Sequence, residues 1–167
     1  HNYGLPGEVD ALKRISEQYN LPLIYDAAPS LGVRYYDETI LKHGDMAVLS
    51  FHATKVFTTF EGGAIISKSE ELKNRVDSLK NFAIINPEKV SGLGLNGKMN
   101  EAEAAMGLLQ LKYIDKNISK RKDIYKLYIN LLESIKSISI LTPPDFVEYN
   151  YAYFPVFFND GIIMRDK

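Results

Sequence analysis

The sequence contains no cysteine, and this absence removes several classes of chemistry. Disulfides, thiolate nucleophiles and cysteine-type metal sites are excluded, and we predict no metal site. The absence is also compatible with a reducing compartment such as the cytoplasm. An excess of charge of either sign is missing too, because 20 basic and 21 acidic side chains leave a formal net charge of −1. This balance gives no reason to expect nucleic acid or an anionic membrane as a partner.

Long apolar runs are also missing. No run approaches the roughly 20 residues that cross a bilayer, while the hydrophobic share of 46% is ordinary for a globular protein. The 167 residues suffice for a domain with a core. The chain opens on His1 with neither an initiator methionine nor a signal-like segment, and Lys167 follows a strand-like run. We therefore expect a central piece of a longer protein.

Hydrophobic periodicity predicts alternating helices and strands in the first half of the chain. Apolar residues recur at helical spacing in two segments, and short apolar runs between them favour buried strands, the first of which suits a parallel sheet. Gly62 and Gly63 mark a tight turn. The predicted elements are helix 7–20, strand 21–25, a helical turn at 38–43, strand 46–51, strand 64–67 and helix 70–82.

The second half of the chain begins with a predicted loop at 84–99, which is rich in glycine and asparagine. Asn100 and Glu103 resemble a capping box and predict the start of a helix. A longer helix over 116–136 follows, and the aromatic alternation of 151–158 predicts an antiparallel strand. The side chains expected on the apolar faces are Ala104, Leu108 and Leu111 in the first helix and Tyr125, Tyr128, Leu132 and Ile135 in the second.

This order of elements predicts an α/β fold in two parts. Helices alternating with strands early in the chain indicate part of a three-layer α/β domain over residues 1–115. A long helix followed by an antiparallel strand indicates the beginning of a smaller α+β domain over residues 116–167.

A carboxylate stands at the end of the first predicted strand. Asp26 directly follows the apolar residues Leu23, Ile24 and Tyr25. In open α/β sheets, ligands bind outside the carboxyl ends of the strands, so a side chain at this point can meet a ligand. The alternative is that Asp26 only starts a turn, because aspartate before Ala-Ala-Pro is a common turn signal.

A lysine follows the second predicted strand in a similar position. Lys55 in a loop would by itself be read as solvated surface, but Asp26 stands at a neighbouring strand end. An amine and a carboxylate are the two protein groups that a pyridoxal-phosphate site needs. The amine bonds to the cofactor's aldehyde, and the carboxylate keeps the pyridine nitrogen protonated. An ion pair at about 4 Å is worth about 4 kcal/mol at an effective dielectric of about 20, which is enough to hold that charge at neutral pH.

Four ordered segments of the sequence resemble the DegT/DnrJ/StrS family of sugar aminotransferases. The resemblance covers nearly the whole chain and is weakest after about residue 137. It implies the aspartate aminotransferase-like fold of fold type I pyridoxal-phosphate enzymes, present here in part, and a homodimer whose active sites lie at the subunit interface. The segments are 24–28 (IYDAA), 50–55 (SFHATK), 61–64 (EGGA) and 94–101 (GLNGKMNE).

The resemblance also implies roles for individual residues. Lys55 carries the cofactor, Asp26 pairs with the pyridine nitrogen, and Ser50 hydrogen-bonds the cofactor phosphate. Asn96 matches an asparagine that reaches the phosphate in the neighbouring subunit, and His52 is a candidate for the substrate side. The alternatives are a strand-end hydroxyl for Ser50, a turn residue for Asn96 and a structural histidine for His52.

Two features depart from the family pattern. Pro29 stands three places after the aspartate, where members commonly have glutamine or histidine beside the cofactor ring, and proline donates no hydrogen bond. The tuning of the ring's oxygen side or the substrate preference is therefore expected to differ. The turn that cradles the phosphate at a helix N-terminus, and an aromatic that stacks on the ring, are expected upstream of His1.

The activity implied by the resemblance is transamination of a nucleotide-linked keto-deoxysugar. An amino acid, L-glutamate by resemblance, supplies the nitrogen, and the amino sugar serves surface polysaccharide or glycoside biosynthesis in the cytoplasm. One alternative is a related sugar dehydratase, although members with that activity carry histidine where Lys55 stands. Another alternative is a truncated, non-catalytic domain that only dimerises.

Overall fold

The computed structural model describes residues 1–159, so the last part of the predicted domain 116–167 lies outside the described residues. Within the described range, no helix has both the length and the apolar character needed to cross a membrane. The helices are α1 (Val9–Tyr19), α2 (Glu70–Lys80), α3 (Glu101–Leu111) and α4 (Ile114–Leu132), with 3₁₀ turns at Asn2–Gly4 and Ile40–Lys42. The strands are β1 (Ile24–Asp26), β2 (Arg34–Tyr35), β3 (Glu38–Thr39), β4 (Met46–Ser50), β5 (Gly63–Ser67), β6 (Ile84–Asn86), β7 (Lys89–Val90), β8 (Ile138–Ile140), β9 (Val147–Glu148) and β10 (Val156–Phe158).

The sheet that positions the site has the spatial order β1–β4–β5. β1 runs parallel to β4, with Asp26 opposite Val48, and β5 returns antiparallel beside β4. The buried face of this sheet carries Tyr25, Ala47 and Leu49, which form one core cluster together with Ala27. Parallel pairing of the first two strands is the arrangement that their apolar sequence predicts.

The opposite face of the same sheet is open. Ile24, Val48 and Ile65 are between 40% and 54% exposed on it. A three-layer domain covers both faces of its sheet, so the described residues show one covered face of the predicted architecture. This is the appearance expected of part of a larger domain.

The turn between β4 and β5 needs the two glycines found there. Gly62 has a φ of +136°, a backbone conformation that side chains disfavour. A Cβ at Gly63 would lie 2.5 Å from the carbonyl oxygen of Leu49, so a side chain would force the two strands apart. The predicted tight turn is therefore present, and it lies directly beside the segment that carries Lys55.

The helix boundaries follow local signals that the sequence displays. α1 ends where Asn20 adopts a left-handed conformation with a φ of 49°. The side chain of Ser69 caps α2 by accepting from the Leu72 amide at 3.1 Å. Asn100 and Glu103 form both hydrogen bonds of a capping box at the start of α3. These predicted starts and stops are confirmed to within two residues.

Three predictions about the second half of the chain are wrong in part. The predicted loop 84–99 contains a short antiparallel hairpin of β6 and β7, because the Asn86 side chain accepts from the Glu88 amide and closes a tight turn. The segment 151–158 forms a strand only at β10, which pairs with β8, because Tyr151 has a φ of 54° that interrupts extended structure.

The third prediction that is wrong in part concerns which faces of α3 and α4 are buried. In α4, Tyr125 is buried as predicted, while Tyr128 is 48% exposed. The helix ends at Leu132, before the predicted residue 136, so Ile135 lies beyond it and is 42% exposed. In α3, Leu108 and Leu111 are 68% and 54% exposed. The helix instead packs through Gly107, where a Cβ would lie 3.1 Å from the Thr59 side chain. Because the loop 51–62 packs closely against Gly107, the buried face of α3 is one that hydrophobic periodicity does not identify.

Candidate functional site

The carboxyl ends of β1 and β4 lie at the same edge of the sheet because the two strands are parallel. The ladder continues past the strand ends, with the Ala27 amide donating to the Val48 carbonyl at 2.9 Å and the Ser50 amide donating to the Ala28 carbonyl at 3.3 Å. Both chain segments that carry candidate residues therefore leave the sheet side by side.

Asp26 is the last residue of β1, and its side chain is exposed. One carboxylate oxygen, Oδ1, accepts from the Ala28 amide at 3.0 Å, which is the turn-forming contact that the alternative interpretation of this residue requires. A carboxylate offers a second oxygen as well, and Oδ2 is left for a ligand. The turn contact and a ligand-binding role are therefore compatible.

Lys55 lies in a loop that is anchored by buried aromatic packing. The Phe51 and Phe57 rings meet edge to face with centroids 4.8 Å apart, and Val56 and Phe57 are buried. The Lys55 amide donates to the His52 carbonyl at 3.0 Å, and the Phe51 amide donates to the Gly62 carbonyl at 2.8 Å. The residues on either side of Lys55 are thus fixed, and the lysine side chain is left half-buried.

Asp26 and Lys55 line one cleft with a volume of about 370 Å³. The carboxylate comes from the end of β1 and the amine from the loop after β4. The sheet edge therefore brings together the two groups that the sequence places in separate segments. The residues lining this cleft are His1, Asn2, Tyr3, Asp26, Ala28, Pro29, Lys55 and Tyr153.

Three other candidates do not line this cleft. The Ser50 hydroxyl accepts from the His52 amide at 3.3 Å beside the Ala28 carbonyl. The His52 ring lies 3.1 Å from the Thr54 hydroxyl and 3.4 Å from a Glu61 carboxylate oxygen, so its side chain is engaged within its own loop.

Asn96 lies away from the cleft, next to the β6–β7 hairpin. It is exposed, forms an isolated bridge with Asn81, and its side-chain oxygen accepts from the Lys98 amine at 2.6 Å. The role of Asn96 in a neighbouring subunit stays a prediction.

Tyr153 is one of the cleft residues that the sequence did not single out. The Lys55 amine donates to its hydroxyl at 3.4 Å and lies 5.9 Å from the centre of its ring. The sequence signal that could have identified Tyr153 is the high aromatic content of 149–158. That pattern favours a strand, and it does not indicate that the Tyr153 ring lines the cleft. Tyr153 belongs to the predicted second domain, so only tertiary contact brings it to Lys55.

The backbone that carries Tyr153 is held by the buried hydroxyl of Tyr149. This hydroxyl lies 2.7 Å from the Tyr3 carbonyl, and it accepts from the Tyr153 amide at 3.3 Å. Burial raises the pKa of Tyr149 to about 12, so the hydroxyl keeps its proton at neutral pH and donates to a carbonyl. One side chain thus ties two lining segments of the cleft together.

Asn150 holds the same segment against the loop after β1. Its buried amide nitrogen donates to the carbonyls of Pro29 and Leu31 at 2.7 and 2.8 Å, and its oxygen accepts from the Ala152 amide at 3.1 Å. Pro29, the residue that departs from the family pattern, therefore contributes its carbonyl to this contact.

Replacing Asn150 by alanine is expected to lower the free energy of unfolding by about 3 kcal/mol, because three backbone groups lose their partner in a buried position. Chemical denaturation of the intact gene product measures the loss. Asn74 is exposed on α2, and its replacement by alanine provides the control, with an expected change below about 0.5 kcal/mol. Equal effects of the two substitutions would contradict the importance of this contact.

A larger cavity of about 530 Å³ lies beside α4 and meets the cleft at Tyr153. Lys120 and Arg121 contribute cations to its wall, together with several aromatic rings, but none of the carboxylates within residues 1–159 lines it. It therefore lacks the pairing of an acid with Lys55, and the smaller cleft is the better candidate for the reaction centre.

Comparison with known proteins identifies the family. The sequence profile of the DegT/DnrJ/EryC1/StrS aminotransferase family matches residues 1–167. The chain is 45% identical over 168 residues to a dTDP-4-amino-4,6-dideoxy-D-glucose transaminase of Shigella dysenteriae, a match that covers 100% of this chain and 46% of that protein. A transaminase of the same name from Escherichia coli is 42% identical over 171 residues, with the same coverage.

A solved structure of DesI in the presence of its TDP-sugar product superposes on this chain with a TM-score of 0.87 at 32% identity. The match covers 93% of this chain and 40% of DesI, which confirms the predicted α/β fold as part of a larger one. The chain spans about half the length of the curated relatives that it matches. On the profile match and the two close relatives, the chain belongs to the DegT/DnrJ/EryC1/StrS aminotransferase family.

Proposed function

We propose that this protein is a pyridoxal-phosphate-dependent aminotransferase that converts the ketone of a nucleotide-linked deoxysugar to an amine. The observation that carries the proposal is the single cleft lined by Asp26 and Lys55. Membership of an aminotransferase family narrows the chemistry of that amine and carboxylate to amino-group transfer.

The donor set of the cleft fits pyridoxal phosphate. An amine can bond to its aldehyde, and a carboxylate can pair with its pyridinium nitrogen. Asp26 and Lys55 are these two groups, and both have atoms open to the cleft. When bound, the cofactor supplies an aldehyde that accepts the amino group and a ring that withdraws electrons from the reacting carbon.

Each site residue then has a defined task. Lys55 would hold the cofactor through its amine and would move a proton at the reacting carbon. Asp26 would hold a proton at the pyridine nitrogen through Oδ2 while Oδ1 keeps its contact with the Ala28 amide. Ser50 would offer its hydroxyl proton to the phosphate, because its oxygen already accepts from the His52 amide. A role of His52 on the substrate side stays a prediction, because its ring contacts Thr54 and Glu61 of its own loop.

The substrate class is supported by what the similar proteins are called. The relatives from Shigella dysenteriae and Escherichia coli are named for a dTDP-linked amino sugar, and DesI was solved with its TDP-sugar product. We extend this class to the present protein, with L-glutamate as amino donor and surface polysaccharide or glycoside biosynthesis in the cytoplasm as the setting. Retention of Lys55 opposes the alternative of a sugar dehydratase.

We also propose a homodimer in which Asn96 reaches the neighbouring active site. Leu93, Leu95 and Leu108 are between 63% and 97% exposed around this segment and α3, and exposed apolar side chains in such numbers favour a covering partner. A second copy of the chain is the partner that we infer. Light scattering on the intact gene product is expected to give twice the monomer mass, and a monomer would refute this arrangement.

The division of the chain at residues 115 and 116 stays a proposal as well. α3 ends at Leu111 and α4 begins at Ile114, so the boundary falls within the first turn of α4. The contact of Tyr153 with Lys55 then joins the two proposed domains across the cleft.

The experiment that tests the activity uses the intact gene product. Pyridoxal phosphate is added, the protein is reduced with borohydride, and peptide mass spectrometry locates the modified residue. We expect one adduct, on Lys55, and amino-donor-dependent conversion of the cofactor to its amine form. An unmodified Lys55 would refute the proposal and favour a non-catalytic domain.

A further inference from the structure

In the proposed reaction, the amine of Lys55 must reach the bound cofactor at two different times. Its amine would bond to the aldehyde of the bound cofactor, and at a later stage it would move a proton at the reacting carbon. Between these events its amine is free at the end of a flexible four-carbon stem. An amine free to rotate would spend little time at the productive position, because a lysine side chain has high rotamer entropy.

The Lys55 amine has a hydrogen-bond partner at the edge of the cleft. Tyr153 is the hydrogen-bond partner recorded for that amine within residues 1–159, at 3.4 Å from Nζ to the hydroxyl oxygen. The amine also lies 5.9 Å from the centre of the Tyr153 ring, within the range of a cation–π contact. Both contacts hold the amine at the cleft, which Asp26 also lines.

Tyr153 is itself held more firmly than an exposed side chain usually is. Its backbone amide donates to the Tyr149 hydroxyl at 3.3 Å, and its ring meets the Tyr3 ring edge to face at 5.8 Å. Asn150, three residues earlier, is fully buried and bound to the carbonyls of Pro29 and Leu31. The hydroxyl of Tyr153 is therefore placed by the loop that follows Asp26.

We propose that Tyr153 is a positioning residue that holds the free amine of Lys55 over the cleft, an inference that rests on the proposed function. The hydroxyl accepts a hydrogen bond from the protonated amine. When the amine gives that proton to solvent, the hydroxyl can donate to the nitrogen instead, so the amine is retained in either state. The nitrogen then bonds to the aldehyde carbon, and one molecule of water leaves.

The test is the rate at which the cofactor-free, intact gene product captures pyridoxal phosphate covalently. Mixing is followed by borohydride quenching and mass spectrometry of the Lys55 peptide. Tyr153→Phe removes only the hydroxyl, and we expect capture to slow by about 10-fold, the value of one lost hydrogen bond. Tyr153→His keeps a ring and a hydrogen-bonding atom and is expected to recover part of the rate.

A second measurement separates positioning from cofactor binding. Pyridoxamine phosphate has no aldehyde, so its affinity reports the cleft without the Lys55 bond, and we expect Tyr153→Phe to leave that affinity unchanged. Tyr19→Phe makes the same chemical change at an exposed residue at the end of α1 and is expected to behave as wild type in both assays. Circular dichroism confirms that each variant is folded.

Each outcome has a distinct meaning. Wild-type capture rates in Tyr153→Phe, with normal Lys55 modification, would overturn the inference and leave the proposed function intact. A parallel loss of affinity for pyridoxamine phosphate would also overturn it, because Tyr153 would then bind the cofactor directly. Failure of the wild-type protein to form any Lys55 adduct would instead overturn the proposed function.

Discussion

Replacing Lys55 by alanine is expected to abolish covalent attachment of pyridoxal phosphate and to lower transamination by about 10⁴-fold in the intact gene product. The loss is large because, in the proposed reaction, one amine performs two tasks, holding the cofactor and transferring the proton. The absorbance of the bound cofactor and the rate of amino-sugar formation measure the two tasks separately. The alanine leaves space in a cleft of about 370 Å³, so a small primary amine in solution is expected to restore part of the rate.

A matched lysine provides the control for this prediction. Lys122 is exposed on α4 and does not line the cleft, so Lys122→Ala removes the same charge without touching the site. Its cofactor content and activity are expected to equal those of the wild-type protein. Retention of the cofactor band in Lys55→Ala would exclude Lys55 as the attachment residue.

Replacing Asp26 by asparagine is expected to lower transamination by about 10³-fold while the cofactor remains attached to Lys55. Asparagine keeps an oxygen that can accept from the Ala28 amide, so the local turn is preserved and only the negative charge is lost. That charge is worth about 4 kcal/mol at about 4 Å and an effective dielectric of about 20. A change of this size in the barrier corresponds to about 10³-fold in rate.

The matched control for Asp26→Asn is Asp123→Asn on the exposed surface of α4. It makes the same change in net charge, so any general electrostatic effect on substrate binding appears in both variants. Thermal unfolding shows whether the turn at Ala28 has survived. An active Asp26→Asn variant would show that the carboxylate is only a turn residue, which is the alternative that its sequence context suggests.

The sequence predicts the elements that depend on neighbouring residues. The start of the helix at residue 70, the capping box of Asn100 and Glu103 and the turn at Gly62 are each found where predicted. Such features need only a few consecutive side chains and their own backbone groups, so they can be identified from one sequence. The positions of Asp26 and Lys55 follow by the same logic, since Asp26 ends the apolar strand β1 and Lys55 lies in the loop after the apolar strand β4.

Predictions that depended on packing between distant segments are less successful. The sequence pattern favours Leu108 and Leu111 as the buried face of α3, but Gly107 makes the close contact and both leucines are exposed. The pattern also favours a strand over 151–158, where Tyr151 interrupts the extended backbone. Periodicity states that a face is apolar, and it cannot state which other segment arrives to cover it.

The sequence by itself determined the family and the local caps and turns, and it predicts that Asp26 and Lys55 hold a pyridoxal-phosphate ring. These properties reside in short motifs whose spacing along the chain is their signal. Only the tertiary structure decided that the amine and the carboxylate line one cleft and that Tyr153 reaches Lys55 from near the other end of the chain. The reason is physical: parallel strand pairing and the buried hydrogen bonds of Tyr149 and Asn150 join segments that are far apart in sequence.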